Sequence, residues 1–211
     1  MSKITTLKIQ SRDKSRCNVY LDGEFAFGIS VESVYTYGLK VGKELTKEEI
    51  EEISREDENK VALSKALNFA TKTLKTRYQV KTNLQAKGYS IKTINFVLDK
   101  LVSSGIIDDV EFAKRYIETT SNTQGRKLIE YKLITKGVKK SDIDYAFSQT
   151  EINSKENAYS VLEKKLKSKP ANRETLNKAY RYLVGRGFSY DEVSSAISEY
   201  KANFPFDEEE F

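Results

Sequence analysis

The stretch Leu84-Gln85-Ala86-Lys87-Gly88-Tyr89 recurs as Leu133-Ile134-Thr135-Lys136-Gly137-Val138 and again as Leu183-Val184-Gly185-Arg186-Gly187-Phe188. Each copy reads leucine, two residues, a basic residue, glycine, then an apolar residue, and successive glycines stand 49 and 50 residues apart. Self-similarity at a fixed period is the mark of a repeat architecture. The likeness extends in both directions. Eight residues before the glycine stand Val80, Ile129 and Ala179, and four before it the three leucines, so each set shares one helix face. Six, nine and ten residues after it stand Ile94, Val97 and Leu98, then Ile143, Ala146 and Phe147, then Val193, Ala196 and Ile197, the core stripe of a second helix. Glycine between the helices is expected as a left-handed C-terminal cap, where a side chain would clash with its own backbone.

Upstream of each pair lies a third helical pattern: Val61, Leu63, Leu67, Ala70 and Leu74; Phe112, Ala113, Tyr116 and Ile117; Ala158, Val161, Leu162 and Leu166. Capping boxes are expected at Asp108 with Glu111 and at Ser189 with Glu192. The fold class is therefore mainly α: three tandem three-helix repeats in an elongated curved array, with a small N-terminal β-rich region. The expected divisions are a β-rich region over 1–45, an acidic helical linker over 46–58, repeats over 59–107, 108–152 and 153–203, and an acidic tail over 204–211. Cores of such small units are marginal alone and should pack against their neighbours.

Toward the N-terminus the apolar residues alternate. Ile4, Leu7 and Ile9 precede a polar turn, and Val19 and Leu21 lead through Asp22-Gly23 to Phe25 and Phe27. Asp-Gly between alternating apolar residues is a strong hairpin signature, so residues 3–28 read as a hairpin or three-stranded sheet. A short helix over 31–37 ended by Gly38 and a brief strand over 39–45 follow, and Thr46 with Glu49 fits a helix-starting capping box. Gly38-Leu39-Lys40-Val41-Gly42-Lys43-Glu44 only superficially resembles a phosphate-binding loop. Three residues separate its glycines where four are needed, and Glu44 stands where a hydroxyl would hold magnesium.

Composition narrows the function. Among 211 residues there is no histidine, the commonest general acid or base near neutral pH and the commonest metal ligand. The single cysteine, Cys17, allows neither a disulfide framework nor a thiolate pair for zinc and reads as a small residue packed in a strand. No signal segment opens the chain and no apolar run nears the roughly 20 residues that span a bilayer, so a cytoplasmic protein without membrane contact is expected. No catalytic residue, metal or cofactor is expected. An enzyme using the Glu48, Glu49, Glu51, Glu52 cluster or the terminal acids Asp207, Glu208, Glu209 and Glu210 with a metal is the weakest reading, since the first cluster reads as a solvated helix face.

The formal charge of +5 is distributed in blocks. Residues 43–58 carry −5, residues 60–140 carry +11, residues 154–190 carry +6, and residues 191–211 carry −6. Within the repeats the cations recur near the glycine: Arg77, Lys81 and Lys87; Arg126, Lys127, Lys132 and Lys136; Lys178, Arg181 and Arg186. With the positions eight and four before the glycine facing the core, these side chains are expected to project outward and align into a stripe that attracts phosphate backbones or acidic protein. The interleaved Tyr78, Tyr89, Tyr131 and Tyr180 read first as packing residues and second as stacking platforms. A stand-alone DNA-binding protein with helix-turn-helix-like repeats is the alternative.

The run Arg77-Tyr78-Gln79-Val80 through Leu84, Lys87-Gly88-Tyr89, then Gly105-Ile106-Ile107-Asp108-Asp109 and Phe112-Ala113 resembles the RecX family over residues of about 60–200, with Gly125-Arg126 and Lys136-Gly137 continuing it. The third repeat matches more weakly, and the acidic end matches no motif. The resemblance implies a regulator of homologous recombination, DNA repair and the SOS response. Such a regulator binds in the groove of the RecA–DNA filament, contacts single- or double-stranded DNA, and restrains the recombinase's ATPase and strand exchange; the chain itself is expected to be a monomer. It implies no catalytic residues and no cofactor.

Overall fold

The structure, a computed structural model, describes residues 1–167 and 172–204. Most of the acidic tail expected over 204–211 lies outside the described residues. The chain divides into two compact units: Met1–Thr73 with Val80–Ile106, and Leu74–Gln79 with the described residues from Ile107 onward.

The first unit opens with strands β1 (Ser2–Ile9), β2 (Arg16–Leu21), β3 (Glu24–Ser30) and β4 (Glu44–Leu45), an antiparallel sheet in the order β3-β2-β1-β4. Asp22 and Gly23 join β2 to β3 with φ of 50° and 94°, the paired positive values that a tight hairpin turn demands. The expected strand over 39–45 shrinks to the two residues of β4, which pair with Ser2 and Lys3 and add a fourth strand to the sheet. Ile4, Cys17, Val19, Ile29, Leu39 and Leu45 close the core beneath it together with Ile53. Cys17 is a packed strand residue whose thiol is pushed up by burial. The phosphate-loop look-alike is two turns: Gly38 follows helix α1 (Val31–Thr36), and Gly42 leads into β4.

Thr46 starts α2 (Lys47–Lys72) with both halves of the capping box: Glu49 N donates to Thr46 Oγ1 at 3.2 Å and Thr46 N donates to Glu49 Oε2 at 2.7 Å. The expected acidic linker and the first helix of the first repeat are thus one uninterrupted helix of 26 residues. Its buried stripe also differs from the sequence reading. Ala62, Ala66 and Ala70 are buried at i, i+4 and i+8, while Val61, Leu63 and Leu67 flank them half-buried and Leu74 lies beyond the helix, exposed. Alanines let a neighbouring helix approach closely, so they take the inward face although the larger residues carry more apolar area. The unit is completed by α3 (Arg77–Ala86), whose first residues belong to the second unit, and by α4 (Ile91–Ser103), whose start is capped by the Ser90 hydroxyl.

The second unit holds two helix triplets: α5 (Asp109–Thr120), α6 (Arg126–Thr135) and α7 (Lys140–Ser148), then α8 (Ser154–Leu166), α9 (Arg173–Gly185) and α10 (Tyr190–Asn203). The stripes inferred from periodicity are the cores. Phe112, Ala113, Ile117, Ile129, Leu133, Ile143, Ala146 and Phe147 pack together in one triplet, and Ala158, Val161, Leu162, Leu166, Ala179, Leu183, Val193 and Ala196 in the other. Leu84, Leu133 and Leu183 are fully buried, each gaining about 1.5–3 kcal/mol relative to an exposed side chain. Ser189 and Glu192 form the expected box. At Asp108 the carboxylate accepts from Val110 N and Glu111 N, but Glu111 turns outward to pair with Arg115 at 2.6 Å instead of reaching back. The fold is the expected one, three-helix repeats with a small N-terminal sheet.

Candidate nucleic-acid and partner interface at the repeat corners

The three corner glycines share one geometry. Gly88, Gly137 and Gly187 have φ of 81°, 82° and 87°. The residue after each donates its N–H to the leucine carbonyl five residues back: Tyr89 to Leu84, Val138 to Leu133, Phe188 to Leu183. The glycine itself donates three residues back, to Gln85, Ile134 and Val184. This double closure satisfies carbonyls that a helix end leaves open.

Two of these corners also hold a joint that the sequence reading missed. Thr76 Oγ1, beside the start of α3, donates to the Lys136 carbonyl at 2.6 Å, and Gly125 N, at the start of α6, donates to the Arg186 carbonyl at 2.9 Å. Thr76 and Gly125 both stand twelve residues before their own glycine, and Lys136 and Arg186 both stand one before the next. The start of one repeat's second helix is therefore seated on the end of the next repeat's second helix. At the second joint free N–H groups at a helix start meet free carbonyls at a helix end, Gly125 N with the Arg186 carbonyl and Lys127 N with that of Gly187. The seating is tight. A Cβ on Gly137 would lie 2.2 Å from Tyr78 Cβ, one on Gly187 2.3 Å from Leu128 N, and one on Gly125 2.3 Å from the Gly187 carbonyl. A Cβ on Gly88 would meet nothing within 4 Å.

Each joint has a cation on either side of it in sequence: Arg77 follows the donor Thr76 and Lys136 supplies the accepting carbonyl at one, and Arg126 follows the donor Gly125 and Arg186 supplies the accepting carbonyl at the other. Arg77 N also donates to Asp109 Oδ1 at 2.8 Å, a carboxyl that burial pushes above its ordinary range against the opposing effect of that bond.

Of the ten cations expected to project outward, Arg77, Lys81, Lys87, Arg126, Lys127, Lys178 and Arg181 are exposed. Lys132, Lys136 and Arg186 are half-buried, a correction to the simple outward stripe. Lys132 Nζ donates to Gln124 at 2.8 Å, Lys136 Nζ lies 5.8 Å from the Tyr116 ring centroid, and Arg186 donates to Tyr182 Oη at 2.8 Å. Long basic side chains lay their stems on apolar surface and their heads on aromatic faces, and a polarity pattern does not register this. Some exposed cations are also held: Arg126 pairs with Asp144 at 2.9 Å with its guanidinium 4.3 Å above Phe147, and Lys178 pairs with Glu174. Lys81, Lys87, Lys127 and Arg181 form no ion pair among the described residues.

The tyrosines divide as well. Tyr180 packs on the core of the α8–α10 triplet and Tyr89 lies beneath Lys65, while Tyr78 and Tyr131 are largely exposed, Tyr78 with its Cβ against the Gly137 corner. Glu48, Glu49, Glu51 and Glu52 are all exposed on α2, and among the described residues no three His, Cys, Asp or Glu side chains are grouped to hold a metal ion. No described helix is long and apolar enough to cross a membrane.

Sheet, triplets and capped corners define a tandem three-helix-repeat protein with an N-terminal strand domain. Family models agree: the regulatory protein RecX N-terminal domain matches residues 2–46, the first RecX three-helix domain residues 62–101, and the third residues 154–197. The regulatory protein RecX of Clostridium tetani (strain Massachusetts / E88) is 35% identical over 94% of both chains. That of Clostridium botulinum (strain Alaska E43 / Type E3) is 34% identical over 98% of this chain and 99% of its own. A crystal structure of regulatory protein RecX superposes with a TM-score of 0.67 at 28% identity, covering 94% of this chain and all of that one. RecX from Lactobacillus salivarius gives 0.63 at 28% over 69% of this chain and 98% of its own. The chain belongs to the RecX family of regulatory proteins.

Proposed function

We propose that this chain is a non-catalytic regulator of homologous recombination and DNA repair that binds the filament of a RecA-type recombinase, contacts its DNA, and restrains ATPase and strand exchange. The observation that carries the reading is near-full-length identity to proteins named regulatory protein RecX, joined to a basic residue before the glycine at all three corners. In this reading Arg77, Lys81, Lys87, Arg126, Lys127, Lys132, Lys136, Lys178, Arg181 and Arg186 form the contact set. Lys81, Lys87, Lys127 and Arg181 supply unpaired charge to phosphate or acidic protein, and Lys136 and Arg186 supply the carbonyls of the two joints. The working repeat boundaries are 59–107, 108–152 and 153–203, and the protein acts as a monomer in the cytoplasm.

Retention of the tagged chain's partners from a cell extract tests this. A RecA-type recombinase should be recovered at low and moderate salt when DNA and nucleoside triphosphate are present. Failure to recover it at either salt rejects the reading, and sequence-selective binding to naked duplex would favour the stand-alone DNA-binding protein.

A further inference from the structure

Arg186 also belongs to a second cluster, with two lysines not singled out by sequence, in a concavity of the α8–α10 triplet. A cavity of about 220 Å³ is lined by Thr123, Val161, Lys164, Lys165, Tyr182 and Arg186. Lys165 Nζ lies 4.4 Å from the Tyr182 ring centroid and the Arg186 guanidinium 5.1 Å from it, with Arg186 also donating to Tyr182 Oη. Three cations line the cavity, no carboxylate does, and none of the three forms an ion pair among the described residues.

Two of the three are held in place: Lys165 and Arg186 are half-buried against one aromatic ring, which fixes their heads at little further cost in side-chain entropy. Three like charges around one cavity, with no carboxylate in its lining, repel one another until an anion joins them. A backbone phosphodiester brings one negative charge, whereas a terminal phosphate carries close to two at neutral pH and offers three acceptor oxygens. The Tyr182 hydroxyl accepts from Arg186, which leaves its own proton to donate to such an oxygen.

We infer that this cavity is a receptor for a phosphomonoester dianion, with Lys164, Lys165 and Arg186 as its charges and Tyr182 as their support. The group can come from a 5′-phosphorylated strand end or from a free nucleoside monophosphate. The inference goes beyond the proposed function: it shares Arg186 with the proposed DNA contacts but needs no recombinase, so the isolated chain should show it.

The test titrates the full chain with one short single strand in 5′-phosphorylated and 5′-hydroxyl forms, and with adenosine monophosphate as competitor. The phosphorylated strand should bind about tenfold more tightly, the difference expected from one added set of charge-assisted hydrogen bonds. The double variant K164Q/K165Q, checked for native helicity by circular dichroism, should lose that preference while still binding the hydroxyl strand. Displacement of the phosphorylated strand by the monophosphate identifies a free nucleotide as a sufficient ligand, and preference without displacement identifies the strand end. Equal affinity for both strands, or a tenfold preference that survives in the variant, overturns the inference.

Discussion

Three glycine-to-alanine substitutions separate helix capping from the joint between repeats, because the structure makes each of them fail differently. Gly88 has φ of 81° and open space around an added Cβ, so G88A meets only the left-handed strain, about 1–2 kcal/mol. Gly125 has an ordinary φ of −76°, but its Cβ would lie 2.3 Å from the Gly187 carbonyl carbon, so G125A meets only the joint. Relieving that collision means backing the start of α6 away from the end of α9. Two hydrogen bonds are then lost, Gly125 N to the Arg186 carbonyl at 2.9 Å and Lys127 N to the Gly187 carbonyl at 3.2 Å. At about 0.5–1.5 kcal/mol net for each, G125A should cost about 1–3 kcal/mol. Gly187 combines positive φ with a clash against Leu128 N, so G187A should cost about 2–5 kcal/mol.

Hydrogen exchange read by mass spectrometry resolves these effects by segment. G88A should lower protection in α3 and α4 alone, and G125A should lower it in both α6 and α9. The reasoning is refuted if G125A behaves as an ordinary surface substitution, within about 0.5 kcal/mol of the parent, or if G187A costs no more than G88A.

Lys139 caps α7 without a side-chain hydrogen bond where Ser90 and Ser189 cap the equivalent helices, so K139S should stabilise the second unit by about 1 kcal/mol, visible as a higher urea midpoint. Burial raises the Asp109 carboxyl, so the folded chain holds that proton more tightly than the unfolded one. This contribution is present in acid and is lost as pH rises from the ordinary aspartate value through the raised one. D109N keeps an acceptor for Arg77 N, and urea midpoints measured across the acid range should lose that decline; an unchanged pH profile contradicts the assignment. Charge reversal at Lys127 and Arg181 should weaken polyanion binding and flatten its salt slope by about one unit per lost phosphate contact, with thermal stability unchanged. The same reversal at Arg126 should also lower stability, because a carboxylate there would face Asp144.

The corners were legible because a glycine forced to positive φ is a backbone requirement that no other residue meets cheaply, and the Leu four before it and the Val, Ile or Ala eight before it follow helical period. The Asp22-Gly23 hairpin was legible for the same reason. The joint was not. Thr76 donates through a hydroxyl and Gly125 through a backbone N–H, so one structural role is filled by residues with no shared side-chain chemistry. The inward face of α2 was misread because Ala62, Ala66 and Ala70 weigh little beside Val61, Leu63 and Leu67 in any apolar pattern, yet only the small residues suit a close helix approach. Lys132, Lys136 and Arg186 were read as projecting heads because sequence carries no record of the Gln124, Tyr116 and Tyr182 groups that hold them. Lys164 and Lys165 carry no signal in sequence because they gain meaning only from Tyr182 and Arg186, which arrive with the next helix and its C-terminal cap.

The most direct measurement compares the full chain's affinity for naked single-stranded DNA, naked duplex and recombinase-coated single-stranded DNA at one salt concentration. Tightest binding to the coated strand, accompanied by slower ATP hydrolysis, is the predicted result. Equal or tighter binding to either naked DNA, with hydrolysis unaffected, would contradict a regulator that works on the filament.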